Sequence, residues 1–283
     1  MQFADSNIVD LESLDLKQLT LLGQGRTAEV FLFRDQFVIK VFRPKFPKQA
    51  IDNEYLVCRS IGSVVDSPKA YQRLVVDSRD AIIFDFINGE SGFRHLFRHP
   101  WSVAGFAREF AAIHAKIHST SVPDEVPELK DILIRNINLH DHLPSETKTK
   151  IIEYLNQLPS GTKLCHGDFH PENILISGGK RFVLDWMTAT RGNPLADVAR
   201  TCVLLKWAEP GPGTPVLIKS LLGSIRRKFH RHYISEYLRL TGATQDKVDE
   251  WELPVLAARL MEWLPESEKQ VLVAHIHEKL NRL

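Results

Sequence analysis

The sequence predicts an α+β protein of two lobes: an antiparallel β lobe with one helix over residues 1–88, and a larger, mainly helical lobe over residues 89–283. Three observations carry this reading. Five short runs rich in Val, Ile, Leu and Phe precede Asn88, separated by turn residues. Beyond Asn88, apolar residues recur at helical spacing, as at Phe106, Phe110, Ile113 and Ile117. Set into the helical part is a polar loop, H-G-D-F-H-P-E-N from His166 to Asn173, followed by two apolar runs joined by Gly178-Gly179.

The first lobe follows in order. Residues 1 to about 16 read as a polar lead-in. The run from Leu19 to Leu22 opens a strand, Gly23-Gln24-Gly25 a turn, and Phe31-Leu32-Phe33 and Phe37–Phe42 two further strands. The stretch from about Pro47 to Ile61 is compatible with a helix, and strands are expected at about Tyr71–Val76 and Ala81–Phe86. In the second lobe the spacing predicts helices over Trp101–His118 and Ser145–Gln157, the latter with Ser145 as N-cap. Lys163-Leu164-Cys165 leads as a short strand into the polar loop. Ile174-Leu175-Ile176 and Phe182-Val183-Leu184 form a hairpin whose Gly-Gly turn supplies positive φ angles. Pro194 suits the first turn of a helix. The rest is mostly helix, broken at Pro210-Gly-Pro-Gly.

Composition narrows the function. The chain has 283 residues, 43% hydrophobic and 25% charged, enough for two lobes with a real core. A formal charge of +1 offers no basic stripe for nucleic acid. Cys58, Cys165 and Cys202 show no C-x-x-C spacing, which argues for a reducing compartment and against zinc. No secretory leader is read at Met1–Ser6, and no apolar run is long enough to cross a membrane. A cytoplasmic protein with neither nucleic-acid nor membrane partners is expected.

The chemistry concentrates between His166 and Asp185. The hairpin is expected to bring Asp185 back toward the loop that holds Asp168 and Asn173. Two carboxylates and a carboxamide oxygen then suit Mg2+, a hard cation that takes oxygen ligands and leaves room for phosphate oxygens. Taken alone, H-G-D is a turn and Asp185 a strand-end carboxylate; the combined pattern favours function. Lys40, within an apolar strand, could pack its stem and send its amine to water. His114 and His118 share a helix face, but no further ligand supports a metal there, so they are read as structural. The cluster from Arg226 to His232 is read as a solvated face, and Trp251 and Trp263 as ordinary helix tryptophans.

The His166–Asp185 stretch resembles the aminoglycoside phosphotransferase and choline kinase families of small-molecule kinases, and more distantly the protein kinases, whose Asp and Asn share the five-residue separation of Asp168 and Asn173. The resemblance runs from about Leu19 to Ala199 and implies a bilobal protein-kinase-like fold. It implies that Asp168 is the catalytic base and that Asn173 and Asp185 hold Mg2+. Gly23, Gly25 and Val30 match the kinase glycine-rich loop, with Ala28 in its third glycine position. Lys40 resembles the phosphate-contacting lysine and Glu54 its helix partner, with Asp52 a nearby rival. Phe86 and Ile87 fall in the hinge whose backbone reads the adenine edge. Asp197 resembles the aspartate that anchors the catalytic loop from below; alone, it is a first-turn Asp that favours the helix dipole. The small-molecule families replace the Arg that follows the His in protein kinases, here by Gly167; the two departures are Ala28, in place of the loop's third glycine, and Met187, where the family often has Glu. The implied activity is transfer of the ATP γ-phosphate to a hydroxyl of a small molecule such as an aminoglycoside, a choline-like amino alcohol or a sugar. The alternative is a non-catalytic kinase-like scaffold that binds a nucleotide.

Overall fold

The structure, a computed structural model, describes residues 15–61, 64–207 and 216–282. The Pro210-Gly-Pro-Gly break and most of the polar lead-in lie outside the described residues. No described helix is long and apolar enough to cross a membrane. The chain divides into two compact units. One runs up to Glu90 and takes in Ile174–Thr188; the other comprises Ser91–Asn173 and the chain from Ala189 onward.

The first unit is built on an antiparallel sheet of β1 (Leu21–Gln24), β2 (Ala28–Phe33), β3 (Phe37–Phe42), β4 (Ala70–Val76) and β5 (Arg79–Asp85), in the order β1-β2-β3-β5-β4. The period of two sets the side chains of each strand on alternate faces. Ile39 and Val41 of β3 therefore enter one buried cluster with Leu16, Phe33, Leu74, Val76, Ala81 and Ile83. Lys40, between them, belongs to the other face, opposite Val30 on one neighbour and Ile82 on the other. Helix α1 (Lys48–Ser60) buries Ile51, Val57 and Cys58, and also Asn53 and Glu54. One boundary differs from the sequence reading: Gly23 lies inside β1 at a register shift, and the turn is confined to Gly25–Thr27.

The Ile174–Ser177 and Lys180–Val183 hairpin pairs Ile174 with Val183, and Gly178 and Gly179 take φ of +53° and +79°. Two positive φ angles in a two-residue loop match the twist of the flanking strands. Asp185 itself has φ +65°, which ends the extended run and turns the chain into a single 3-10 turn, Trp186–Thr188. Trp186 is fully buried, its indole N–H donating to Ser67 Oγ at 3.0 Å, and Asn53 donates to the Met187 carbonyl at 3.3 Å.

The second unit contains α2 (Gly92–Arg98), α3 (Val103–Ser119), α4 (Leu129–Asn138), α5 (Ser145–Gln157), α6 (Pro194–Trp207), α7 (Val216–Thr241), α8 (Gln245–Asp249), α9 (Glu252–Arg259) and α10 (Glu266–Leu280). Short strands Lys163–Cys165 and Thr190–Gly192 pair antiparallel on either side of the loop and hairpin in sequence. Pro100–Ser102 is a 3-10 turn, so α3 starts later than its apolar spacing suggests. Ser145 is the first residue inside α5 rather than its cap; Pro144 holds the cap position with no side-chain bond. Arg226 also departs from the solvated-face reading, donating to the Leu204 and Leu205 carbonyls near the end of α6. Trp251 is core, whereas Trp263 is 91% exposed.

The core of this unit is apolar at one end of α3 and polar at the other. Phe110 stacks on Phe169 at 4.1 Å between ring centroids and meets Phe229 and Tyr233 of α7 edge-on. One and two turns further on, His114 and His118 each use both ring nitrogens. Nδ1 of His114 bonds the Tyr233 hydroxyl at 2.8 Å, and Nδ1 of His118 the Tyr237 hydroxyl at 2.7 Å. Both Nε2 atoms meet Asp197 Oδ2, at 3.0 and 3.1 Å. Burial, reinforced by His118, lowers the His114 pKa to about 3, so its ring is neutral. Nε2 then carries the proton donated to the carboxylate, and Nδ1 accepts from the tyrosine. Both histidines are spent on hydrogen bonds to Asp197 and a tyrosine, and Asp197 is a third ligand-type side chain beside them that the sequence reading did not foresee.

A neutral buried histidine makes folding sensitive to acid. Below its ordinary value of 6.5 the unfolded chain binds a proton that folded His114 refuses until about pH 3. Stability therefore falls as pH drops through this window, by up to about 1.4 kcal/mol per pH unit. In urea unfolding between about pH 7 and about pH 4, His114→Gln should be less stable than wild type at neutral pH yet show a shallower decline with acid. Equal slopes would contradict a neutral His114.

Candidate active site

The loop after Lys163–Cys165 is organised by Asp197, one turn into α6. Its carboxylate accepts the His166 N–H at 2.5 Å and the Gly167 N–H at 2.8 Å. Two successive amides reach one carboxylate because Gly167 adopts φ +78°, a conformation costly for a residue with a Cβ. His166 is fully buried, and its Nδ1 accepts the Asp168 N–H at 3.2 Å. Thr201 holds the Phe169 carbonyl at 3.0 Å. Asn173 closes the loop, its Nδ2 donating to the Asp168 carbonyl at 2.9 Å. No protein hydrogen bond among the described residues takes up the Asn173 carboxamide oxygen.

The Asp168 side chain meets three nitrogen groups, one of them Asn173 Nδ2 at 3.4 Å from Oδ2. His170 Nε2 lies 3.3 Å from Oδ2, and an Arg200 nitrogen 3.6 Å from Oδ1. Burial works against ionisation here. The His170 contact and the Arg200 charge overcome it and hold the carboxyl far below the usual range. Asp168 is a carboxylate at every physiological pH.

In the first unit, Lys40 donates to both Glu54 oxygens, at 2.7 and 2.9 Å, and to Asp185 Oδ1 at 3.0 Å. Asp52, the rival partner, instead pairs with Arg73. Burial alone would push Lys40 down, but the two carboxylates hold it above the ordinary lysine value. Burial pushes Glu54 up, and Lys40, on both of its oxygens, pulls it back down. One ammonium thus faces two carboxylates, and Asp185 is the more exposed of the two, 32% against 3%. This donor set carries more carboxylate than cation, which fits a divalent metal held on the Asp185 side by oxygen ligands.

Gly23 and Gly25 have no packing reason to be glycine. A Cβ would meet nothing within 4 Å at Gly23 and only the Ala28 carbonyl at 3.7 Å at Gly25, and neither has positive φ. The loop is held by the Gly25 N–H on the Ala28 carbonyl at 2.8 Å and by Arg43, which donates to the Gly25 carbonyl at 3.1 Å. Phe86 and Ile87 follow β5, and the Phe86 N–H is spent on the Gln36 carbonyl at 2.9 Å.

The sequence-selected residues therefore fall into two sets, Lys40, Glu54 and Asp185 in the first unit and Asp168 and Asn173 in the second. Sequence reasoning missed Arg200, His170 and the tyrosine pair. Arg200 lies three residues after Asp197, on the same helix face. Tyr233 and Tyr237 repeat the four-residue spacing of His114 and His118, a match visible only once α3 and α7 are set side by side.

Comparison with known proteins bears on the whole chain. The model of the phosphotransferase enzyme family, APH, matches residues 18–224. Among curated proteins no sequence matches. The streptomycin–ATP–APH(2")-IIa ternary complex is similar in structure, with a TM-score of 0.61 at 17% identity over 92% of this chain and 91% of that one. Amicoumacin kinase hAmiN, in complex with AMP-PNP, Ca2+ and Ami, has a TM-score of 0.60 at 13% identity over 95% and 89%. ADP-bound aminoglycoside phosphotransferase APH(2'')-Ib has a TM-score of 0.55 at 16% identity over 92% and 91%. At these identities the structures establish a shared kinase-like fold, and the family match extends well beyond half of the chain. This chain belongs to the phosphotransferase enzyme family and is a small-molecule kinase.

Proposed function

We propose that this kinase transfers the γ-phosphate of ATP to a hydroxyl of a small molecule, with Mg2+ as the metal. The observation that carries the reading is the Asp168 carboxylate, ionised and fixed on a loop whose every turn is tied to Asp197, Asn173 or Thr201. Such a group can orient an acceptor hydroxyl and take its proton as the bond to phosphorus forms. Lys40, held charged by Glu54 and Asp185, offsets phosphate charge. Gly23 and Gly25 supply backbone that phosphates can approach closely, a use supported by the absence of any packing need for glycine there. The Phe86 carbonyl and the Ile87 backbone are assigned to the adenine edge. Asp185 and Asn173 are assigned to Mg2+, which when bound neutralises phosphate charge; support comes from their oxygen chemistry and the order of the motifs.

The unit ending at Glu90 is thus read as the nucleotide lobe and the other as the lobe of the base and the acceptor. Similar structures include a streptomycin complex and an amicoumacin kinase, so hydroxylated antibiotics stand with amino alcohols and sugars as acceptors to test. Three buried free cysteines support a reducing compartment, and we place the protein in the cytoplasm.

The test is ADP release with Mg-ATP and a panel of kanamycin, streptomycin, choline, thiamine and glucose. Asp168→Asn should bind ATP as wild type does and lose about 10²-fold or more in kcat. Turnover at the wild-type rate would remove Asp168 from the role of base. Asp185→Ala should lose the Mg2+ dependence of ATP binding measured by calorimetry. A wild-type protein whose ATP titrations are identical with and without Mg2+ would sink the metal assignment.

A further inference from the structure

Arg200 is an odd neighbour for a base. A guanidinium beside a carboxylate favours its ionised form and so resists the proton the base must accept. A direct bidentate pair would also occupy both oxygens that the acceptor hydroxyl needs. Yet the Arg200 nitrogen stands 3.6 Å from Asp168 Oδ1, within ionic reach but beyond a hydrogen bond. The other nitrogens explain the gap. Arg200 Nε donates to the Gly167 carbonyl at 3.1 Å, and Nη1 pairs with Glu262, which follows α9. Glu262 is fixed in turn by buried Arg259 at 3.2 Å, and Arg259 by buried Glu268 at 2.6 Å. A row of alternating charge runs Asp168, Arg200, Glu262, Arg259, Glu268.

We propose that Glu262 is a positioning residue for phosphotransfer: it draws the Arg200 guanidinium off Asp168, so that the base stays aimed and free to receive the acceptor hydroxyl. The proposal rests on the assignment of Asp168 as the base. Arg200 keeps two jobs, holding the loop through the Gly167 carbonyl and setting the field at Asp168. Without Glu262, the whole guanidinium charge falls on Asp168. The pair closes to hydrogen-bond distance, and the base is withdrawn while every group that binds nucleotide stays in place.

The test uses the full chain, Mg-ATP and whichever panel member supports ADP release. Glu262→Gln should lower kcat by about 10- to 10²-fold, the scale of a misplaced catalytic group, with KM for ATP unchanged. In the Arg200→Met background, which has no guanidinium to collapse, Glu262→Gln should cause little further loss. Glu252→Gln, which breaks the pairs with Lys206 and Lys279 outside this row, controls for stability: it should lower Tm while sparing kcat. Wild-type kcat in Glu262→Gln, or losses that multiply in the double variant, would overturn the positioning role. If Asp168→Asn is inactive and Glu262→Gln is not, this inference alone fails. If wild type releases no ADP with any acceptor, or Asp168→Asn matches it, the assignment of the base fails and this inference with it.

Discussion

One buried carboxylate, Asp197, carries the geometry of the His166–Asn173 loop. A charge with no access to water is tolerated only when hydrogen bonds replace its hydration. Asp197 gets four: two imidazole N–H groups from α3 and two backbone N–H groups from the loop. His114, held neutral, needs a donor for its other nitrogen, and Tyr233 provides it; the Tyr237 hydroxyl meets His118 Nδ1 in the corresponding place. The loop is thus referred through one side chain to α3, α6 and α7, and every link is a hydrogen bond with a defined direction. His114, whose burial keeps it neutral, is what turns a place of strong desolvation into a satisfied network.

The groups around Lys40 follow the opposite rule. Asp197 is closed and fully paired, whereas Asp185 shares its lysine with Glu54 and keeps part of its surface. A site proposed to take up a cation and phosphates cannot be satisfied in advance. The same logic separates the glycines. Gly167, Gly178 and Gly179 are glycine because the backbone turns left-handed there, and Gly23 and Gly25 have no such reason. Residues that the resting fold does not explain are where a ligand is expected.

Much of this was legible in the sequence. The five strands and their single helix declared themselves through β-branched runs and turn residues. The Gly178-Gly179 hairpin did so through one of the residue pairs that fit a two-residue loop. Lys40 with Glu54 could be picked out, though Asp52 could be set aside only when Arg73 was seen beside it. The misses share a physical cause. Ser145 has the residue type of a cap, but Pro144 before it takes the extended backbone, which moves the helix start by one position. Arg226 lies in a basic run that reads as solvated, yet it faces the carbonyls near the end of α6, which only tertiary packing reveals. Arg200 and Glu262 are 62 positions apart and form an ion pair that no local spacing announces.

The central claim is that this chain moves a phosphoryl group from ATP to a hydroxyl of a small molecule. Phosphorus NMR of wild-type protein with Mg-ATP and the acceptor panel tests it most directly, because it follows the phosphorus atom itself. The account predicts that the γ-phosphate resonance declines as a phosphomonoester resonance grows in step with ADP, and that both changes stop when the acceptor is withheld. ATP that stays intact with every acceptor, or yields only inorganic phosphate at a rate no acceptor alters, would contradict it.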